Sequence, residues 1–225
     1  MTKETVIISL GGSIVVPEKI NIDFLKKFKS LILKHLATKR FFIIIGGGKT
    51  AREYQNAALE VSAVDNEDRD WLGIHATRLN AHLLRTIFKK HAYKRVLKNP
   101  TKKPNFKEDI LIAAGWKPGF STDYDAVMIA KNYRAKTIIN ITNAGFVFDK
   151  DPRKFTDAKK LAQTDWKAFR KLVGNKWSPG LNMPFDPVAS KLAEKLKLKV
   201  IIAGADLDNL ENVLDGKKFK GTIIE

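Results

Sequence analysis

The chain has 225 residues, 44% of them hydrophobic and 29% charged, which is the balance of a folded soluble protein without the aliphatic depletion of a disordered one. It contains no Cys, no apolar run near the length of a bilayer span and no signal-peptide core after Met1, so disulfides, thiol chemistry and membrane insertion are excluded and a cytoplasmic location is expected. The 41 Lys+Arg against 24 Asp+Glu give a net charge of +17, a field that attracts phosphate-rich small substrates or a nucleic acid, or that serves as a lysine-rich solvated surface.

Short β-branched runs alternate with longer stretches carrying aliphatics at three- and four-residue spacing, the pattern of an α/β protein with a largely parallel sheet. The first strand, 5–10, runs into Gly11-Gly12-Ser13. Bare glycine amides approach an anion closely, so this turn reads as a phosphate cradle or as a turn that needs only positive φ. A helix over 22–37 follows, then a strand over 41–45 that ends in Gly46-Gly47-Gly48-Lys49-Thr50-Ala51-Arg52 and a helix over 49–61. Three glycines at a helix N-terminus favour a phosphate, with Lys49 and Arg52 one turn apart. A P-loop is excluded, because the position five residues before Gly48 holds Ile43, and neither glycine cluster has the G-x-G-x-x-G spacing.

The next helix, 69–90, carries Asp70, Thr77 and Asn80 as residues able to face a ligand; Asp70 reads equally well as a first-turn acid, and Arg78 as a surface or interface residue. His75 and His82 share a helix face without the spacing or third ligand of a zinc site. Lys89, Lys90, Lys94, Arg95, Lys98, Lys102, Lys103 and Lys107 then run without an acidic residue through a stretch broken by Pro100 and Pro104, which reads as a solvated loop in preference to a nucleic-acid site. After a strand at 110–113 comes the loop 115–125. Its Ser121 and Thr122 can donate to phosphate and its Trp116 or Phe120 can stack on a base, or Thr122 or Asp123 simply caps the helix 124–134. Strands at 137–141 and 200–203 and helices at 165–173 and 207–214 complete the pattern, with Asp186-Pro187 opening a further helix that runs to Lys197. No repeat or linker divides the chain, and a single domain over 1–225 is expected.

In order, the segments S-L-G-G-S, I-I-I-G-G-G-K-T-A-R-E-Y, D-W-L-G-I-H-A-T-R-L-N-A-H-L-L, G-W-K-P-G-F-S-T-D, T-N-A-G-F-V-F-D-K-D-P-R and F-D-P-V-A-S-K-L resemble uridylate kinases of the archaeal-like type, in the amino-acid-kinase superfamily. The resemblance spans nearly the whole chain, and the helix from Asp70 to Ala81 carries the uridylate assignment. It implies a three-layer αβα sandwich with a central mainly parallel sheet, an acceptor-binding N-terminal half and an ATP-binding C-terminal half. The implied activity is transfer of the ATP γ-phosphoryl to UMP in pyrimidine nucleotide synthesis. Also implied are magnesium carried by ATP with no metal held by the protein, and a homo-oligomer, a hexamer built from dimers.

Carried over by motif, Gly47, Asp70, Trp116, Lys117, Pro118, Gly119, Phe120, Ser121 and Thr122 would hold UMP. Gly11, Gly12, Ser13, Gly48, Arg52, Thr142, Phe148 and Asp151 would hold ATP, with Gly12, Gly48 and Arg52 at the transferring phosphoryl group. Two departures stand out. Ser9 occupies a position that is lysine in many members, and Asn143-Ala144-Gly145-Phe146-Val147-Phe148 replaces N-x-D-G-V-Y, leaving Asp125, Asp149 or Asp151 to supply the missing carboxylate. A catalytically weakened nucleotide-binding or regulatory relative, or a kinase of another small phosphate or carboxylate acceptor, is the alternative reading on this fold.

Overall fold

The computed structural model describes residues 3–152, 154–174 and 183–225; Arg153, the last residue of the T-N-A-G segment, lies outside them. In chain order the N-terminal part contains β1 (Glu4–Leu10), α1 (Gly12–Val15), α2 (Ile22–Lys34), β2 (Lys39–Ile45), α3 (Gly48–Val61), α4 (Asn66–Ile87) and β3 (Ile110–Ala113). The remainder contains α5 (Thr122–Tyr133), β4 (Thr137–Ile141), β5 (Val147–Phe148), β6 (Lys160–Leu161), β7 (Gln163–Thr164), α6 (Trp166–Val173), α7 (Pro187–Lys195), β8 (Lys199–Ala203), α8 (Leu207–Leu214) and β9 (Gly221–Ile224). Seven strands form one sheet in the order β3-β2-β1-β4-β8-β9-β7, while β5 and β6 pair separately. The five strands expected from their apolar runs are all parallel; β9 pairs antiparallel to β8, and β7, parallel to β9, also runs opposite to the five.

Alternation along the strands explains the layers. Val6, Ile8 and Leu10 of β1 pack on one face with Phe24, Phe28 and Ile32 of α2 and Leu84 of α4, whereas Ile7 joins Val127 and Ile129 of α5, Phe169 of α6 and Ala189 of α7 on the other. Helices thus cover both faces, as the three-layer expectation requires.

Several boundaries differ from the periodicity. α4 begins at Asn66 and is capped by Asp65, whose side chain accepts from the Asp68 amide, so Asp70 lies beyond the first turn. α5 is capped by Ser121, which accepts from the Tyr124 amide, and Thr122 and Asp123 belong to its first turn. α2 stops at Lys34 and α7 at Lys195, with Lys197 in the left-handed region at φ 51°. Short β5, β6, β7 and β9 exist through their partners, and no local pattern announces them.

The basic stretch is an ordered cover for the sheet edge. Ala92 and Leu97 bridge to Ile110 and Ala113 of β3, the Asn132 side chain donates to Pro100 O at 2.6 Å, and Phe106 packs between Tyr93 and Phe42. All eight of its lysines and arginines are exposed, as the solvated-loop reading expects, and cations there also guard an edge against pairing. Among the described residues, no helix is long and apolar enough to cross a membrane.

Candidate active site

Parallel pairing of β1 with β2 sets Leu10 beside Ile45, so both glycine turns leave the sheet at the same place. Gly46 N donates to Leu10 O at 3.0 Å and Gly11 N to Ile141 O at 2.9 Å, tying the turns to each other and to β4. A Cβ on Gly12 would stand 2.5 Å from Gly46 O, and one on Gly48, whose φ is +65°, 2.5 Å from Gly12 O. Only bare backbone fits there. Asn80 of α4 supports the second turn by donating to Gly46 O at 2.9 Å and Gly47 O at 3.1 Å. It is a buried prop and not the ligand-facing group its position suggested.

α3 starts at Gly48 with no side-chain cap; in its first turn the Lys49 amide donates to Val16 O at 2.9 Å, and Arg52 reaches across to donate to Ser13 Oγ at 2.8 Å. Lys49, expected beside it, pairs with Glu18 instead. The Glu18 carboxylate holds the Lys49 ammonium above its usual pKa.

Both turns open on a cleft of about 1230 Å³, larger than the roughly 300–1,000 Å³ of a pocket for one small ligand. Gly11, Gly12, Ser13, Gly47, Gly48 and Arg52 line one end; Asp70, Phe120, Ser121 and Thr122 line another, and Thr142, Phe148 and Asp151 a third. Asp70 accepts from the Gly119 amide at 2.8 Å, and its carboxyl is raised by burial against the pull of that amide. Thr77 accepts from Gly115 N at 2.8 Å, and Arg78 donates to Trp116 O at 3.0 Å while lying over Trp71. α4 therefore holds the loop 115–120 through three side chains.

Trp116, Lys117, Pro118 and Gly119 are not on the cleft wall. The Trp116 ring packs on Phe120 at 5.2 Å and Lys117 Nζ sits 4.4 Å over it, which leaves Phe120 as the aromatic on the wall. Asn143, from the segment that replaces N-x-D-G-V-Y, lines the cleft, as do Gln55 and Lys150, to which the sequence assigned no role.

Behind Ser121 and Thr122 the structure gathers carboxyls that the sequence reading treated as caps or substitutes. Asp123 accepts from Ser9 Oγ at 2.8 Å and from Asp186 N at 3.2 Å. Burial raises its pKa to about 7, the Asp186 charge adds to this, and the Ser9 hydroxyl and Asp186 amide oppose it. Asp125 is fully buried, accepts from Trp116 N at 3.1 Å and is raised well above the carboxylate range by burial. Asp186 caps α7 through the Ala189 amide at 2.6 Å and is also raised by burial. Of the three residues considered to replace an aspartate at 145, Asp125 thus serves the loop, Asp149 accepts from Lys159 N within the β5–β6 hairpin, and Asp151 lines the cleft. Gly145 itself sits at φ +67°, where a side chain is strained.

Among the described residues, the one compact group of metal-ligating side chains is His35, Glu211 and Asp215, none of them lining the cleft.

The mainly parallel sheet with helices on both faces agrees with the known proteins that this chain matches. The model of the amino acid kinase family matches residues 4–204. The chain belongs to the amino acid kinase family. Within that family it is similar to the uridylate kinase of Thermoplasma volcanium, with 34% identity over 99% of this chain and 98% of the relative. It is likewise similar to the uridylate kinase of Pyrococcus abyssi, with 34% identity over 98% and 99%. The crystal structure of uridylate kinase from Archaeoglobus fulgidus superposes with a TM-score of 0.82 at 30% identity, covering 98% of this chain and 99% of that one. UMP kinase from Ureaplasma parvum shares the family fold, with a TM-score of 0.76 at 20% identity.

Proposed function

We propose that this member of the family is a UMP kinase that transfers the γ-phosphoryl group of ATP to UMP, giving UDP and ADP. The observation that carries the reading is the single cleft in which the two interlocked glycine turns, with Arg52 beside them, face the Asp70-anchored loop. The near-full-length similarity to uridylate kinases supports it.

Asp70, Gly47 and the wall from Phe120 to Thr122 hold UMP, with Asp70 accepting from the ribose hydroxyls. Trp116 to Gly119 act from behind that wall, through the Trp116–Phe120 contact and the Gly119–Asp70 bond. Thr142, Phe148 and Asp151 hold the nucleoside end of ATP, and Gly11, Gly12, Ser13, Gly48 and Arg52 its phosphates. A UMP phosphate oxygen bonds to the γ-phosphorus as the bond to the bridging oxygen breaks, and ADP leaves with that electron pair. With its second pKa near about 6, the UMP phosphate is already a dianion at neutral pH, so no strong base is required. Backbone amides and the Arg52 guanidinium stabilise the charge on the transferring group, and the turns fix its line of approach. Magnesium arriving with ATP supplies additional charge neutralisation between the phosphates.

The same reading includes one domain, a place in pyrimidine nucleotide synthesis, a cytoplasmic location and a homo-oligomer. Supporting self-association, α3 buries none of its residues in the monomer, and Tyr54, Leu59, Val61 and Leu79 are exposed on α3 and α4. A coupled assay of ADP release with UMP, CMP, AMP and a carboxylate acceptor tests the activity. UMP-dependent turnover is expected, and UMP binding without turnover would replace the kinase by a nucleotide-binding relative.

A further inference from the structure

Arg52 and Gln55 stand one turn apart on α3, Asp70, Gly73 and Thr77 follow one another at three- and four-residue spacing on α4, and all five line the cleft. Gln55 reaches from the first helix to the second. Its Nε2 donates to Arg69 O at 2.7 Å, at the turn of α4 that carries Asp70. Gly73 leaves the room this needs, since a Cβ there would stand 2.9 Å from the same nitrogen. Of the two polar atoms of a carboxamide only the nitrogen can donate to a carbonyl, so this bond fixes which way the amide is turned.

Two acceptors are left on this wall. Asp70 Oδ2 accepts from the Gly119 amide at 2.8 Å, while among the described residues no hydrogen bond reaches Asp70 Oδ1 or Gln55 Oε1. Neither oxygen is one of the buried polar atoms without a partner, so both are open to what the cleft holds. Each is oriented by a backbone group outside the ligand, Asp70 by the Gly119 amide and Gln55 by the Arg69 carbonyl. The complementary chemistry is a vicinal diol, whose two adjacent hydroxyls each donate one hydrogen bond.

We propose that Gln55 is a specificity-determining residue of the acceptor site: its Oε1 accepts from one hydroxyl of the ribose diol while Asp70 Oδ1 accepts from the other, so that the site prefers ribonucleoside to deoxyribonucleoside monophosphates. This rests on the assignment of the Asp70 end of the cleft to the acceptor nucleoside. Deleting one hydroxyl from the ligand leaves an oriented oxygen without its donor, and deleting the oxygen from the protein leaves the hydroxyl unpaired in the same way. The amide is also the group that suits both tasks. A carboxylate at 55 could not donate to Arg69 O and would set a second negative charge on the wall that carries Asp70.

The test titrates the wild type, Gln55→Met and Gly73→Ala calorimetrically with UMP, 2′-deoxyUMP and 3′-deoxyUMP, and reads the affinity ratio of UMP to each analogue; where turnover is measured, kcat/KM gives the same ratios. The wild type should bind UMP about three- to tenfold more tightly than the analogue whose missing hydroxyl faces Gln55. Gln55→Met keeps an unbranched side chain of similar length without the carboxamide, and should bring that ratio close to one while the ratio that reports on Asp70 persists. Gly73→Ala sets a methyl against the carboxamide and should shrink the same ratio, and as the better helix former it keeps α4 folded. A role confined to packing would weaken all three nucleotides alike and leave both ratios unchanged. Ratios near one in the wild type overturn the proposal, as do ratios at their wild-type values in Gln55→Met, or in Gly73→Ala if only that variant folds. UMP turnover with unchanged ratios overturns the role of Gln55 alone, whereas shifted ratios without turnover overturn the kinase alone. Absence of both UMP binding and UMP turnover overturns the two together.

Discussion

At the glycine turns bare backbone lines the cleft, whereas the loop 115–122 presents side chains on a backbone held from outside. Gly12, Gly46 and Gly48 lie so close that no Cβ can enter between them, and Asn80 supports their carbonyls from α4. By contrast, a Cβ at Gly119 meets nothing within 4 Å, and the loop's position depends on Asp70, Thr77 and Arg78. In the proposed function the difference suits the two ligand parts: a polyphosphate needs bare amides at close range, while a nucleoside needs a shaped wall with a few oriented polar groups.

Substitution should therefore be felt most at the turns. Gly12→Ala is expected to lose at least about 10²–10³ in kcat, because the new methyl forces the two turns apart and misplaces their amides; wild-type kcat with an unchanged melting temperature would refute the tight apposition. Next comes Arg52→Ala, which removes the guanidinium but leaves Ser13 and the backbone in place, and should lower kcat about 10²-fold with little change in KM for UMP. A rise in KM for UMP alone would move Arg52 to the acceptor side. On the loop side, Asp70→Asn keeps an acceptor for the Gly119 amide but loses the charge, and about a tenfold rise in KM for UMP is expected with a smaller change in kcat. Steady-state kinetics with each substrate varied will show which constant moves. The smallest effect belongs to Gly119→Ala, where open space leaves only the φ of +84° to oppose the methyl. About 1 kcal/mol of stability should be lost, read by urea denaturation, with activity nearly intact.

The same contrast separates what was legible in the chain from what was not. Apolar runs and three- and four-residue spacing located the parallel strands and the main helices, since each is a local consequence of burying one or both faces of an element. Triple glycine at a strand–helix junction announced the close backbone approach of the two turns for a similar reason: the residue type permits a geometry that no other residue does. The loop was harder. Trp116 and Phe120 looked equivalent as stacking platforms, and only packing turned Trp116 away from the wall and capped it with Lys117. Asn80 looked like a ligand-facing residue and is a support, because the helix rotation that points it at Gly46 is fixed by the core beneath α4.

Composition, periodicity and the order of the motifs by themselves determined an α/β chain with glycine turns at the ends of two strands and resembling the uridylate kinases. The tertiary structure alone decided how the carboxyls behind the cleft wall are arranged. Asp123, Asp125 and Asp186 are separated by as many as 63 residues, and in the sequence Asp123 and Asp186 read as helix caps and Asp125 as a substitute for the carboxylate missing at Gly145. They become a shared electrostatic problem only when β1, β4, α5 and α7 converge, because burial and neighbouring charge, which set a carboxyl's protonation, are properties of the packed interior and not of the local sequence.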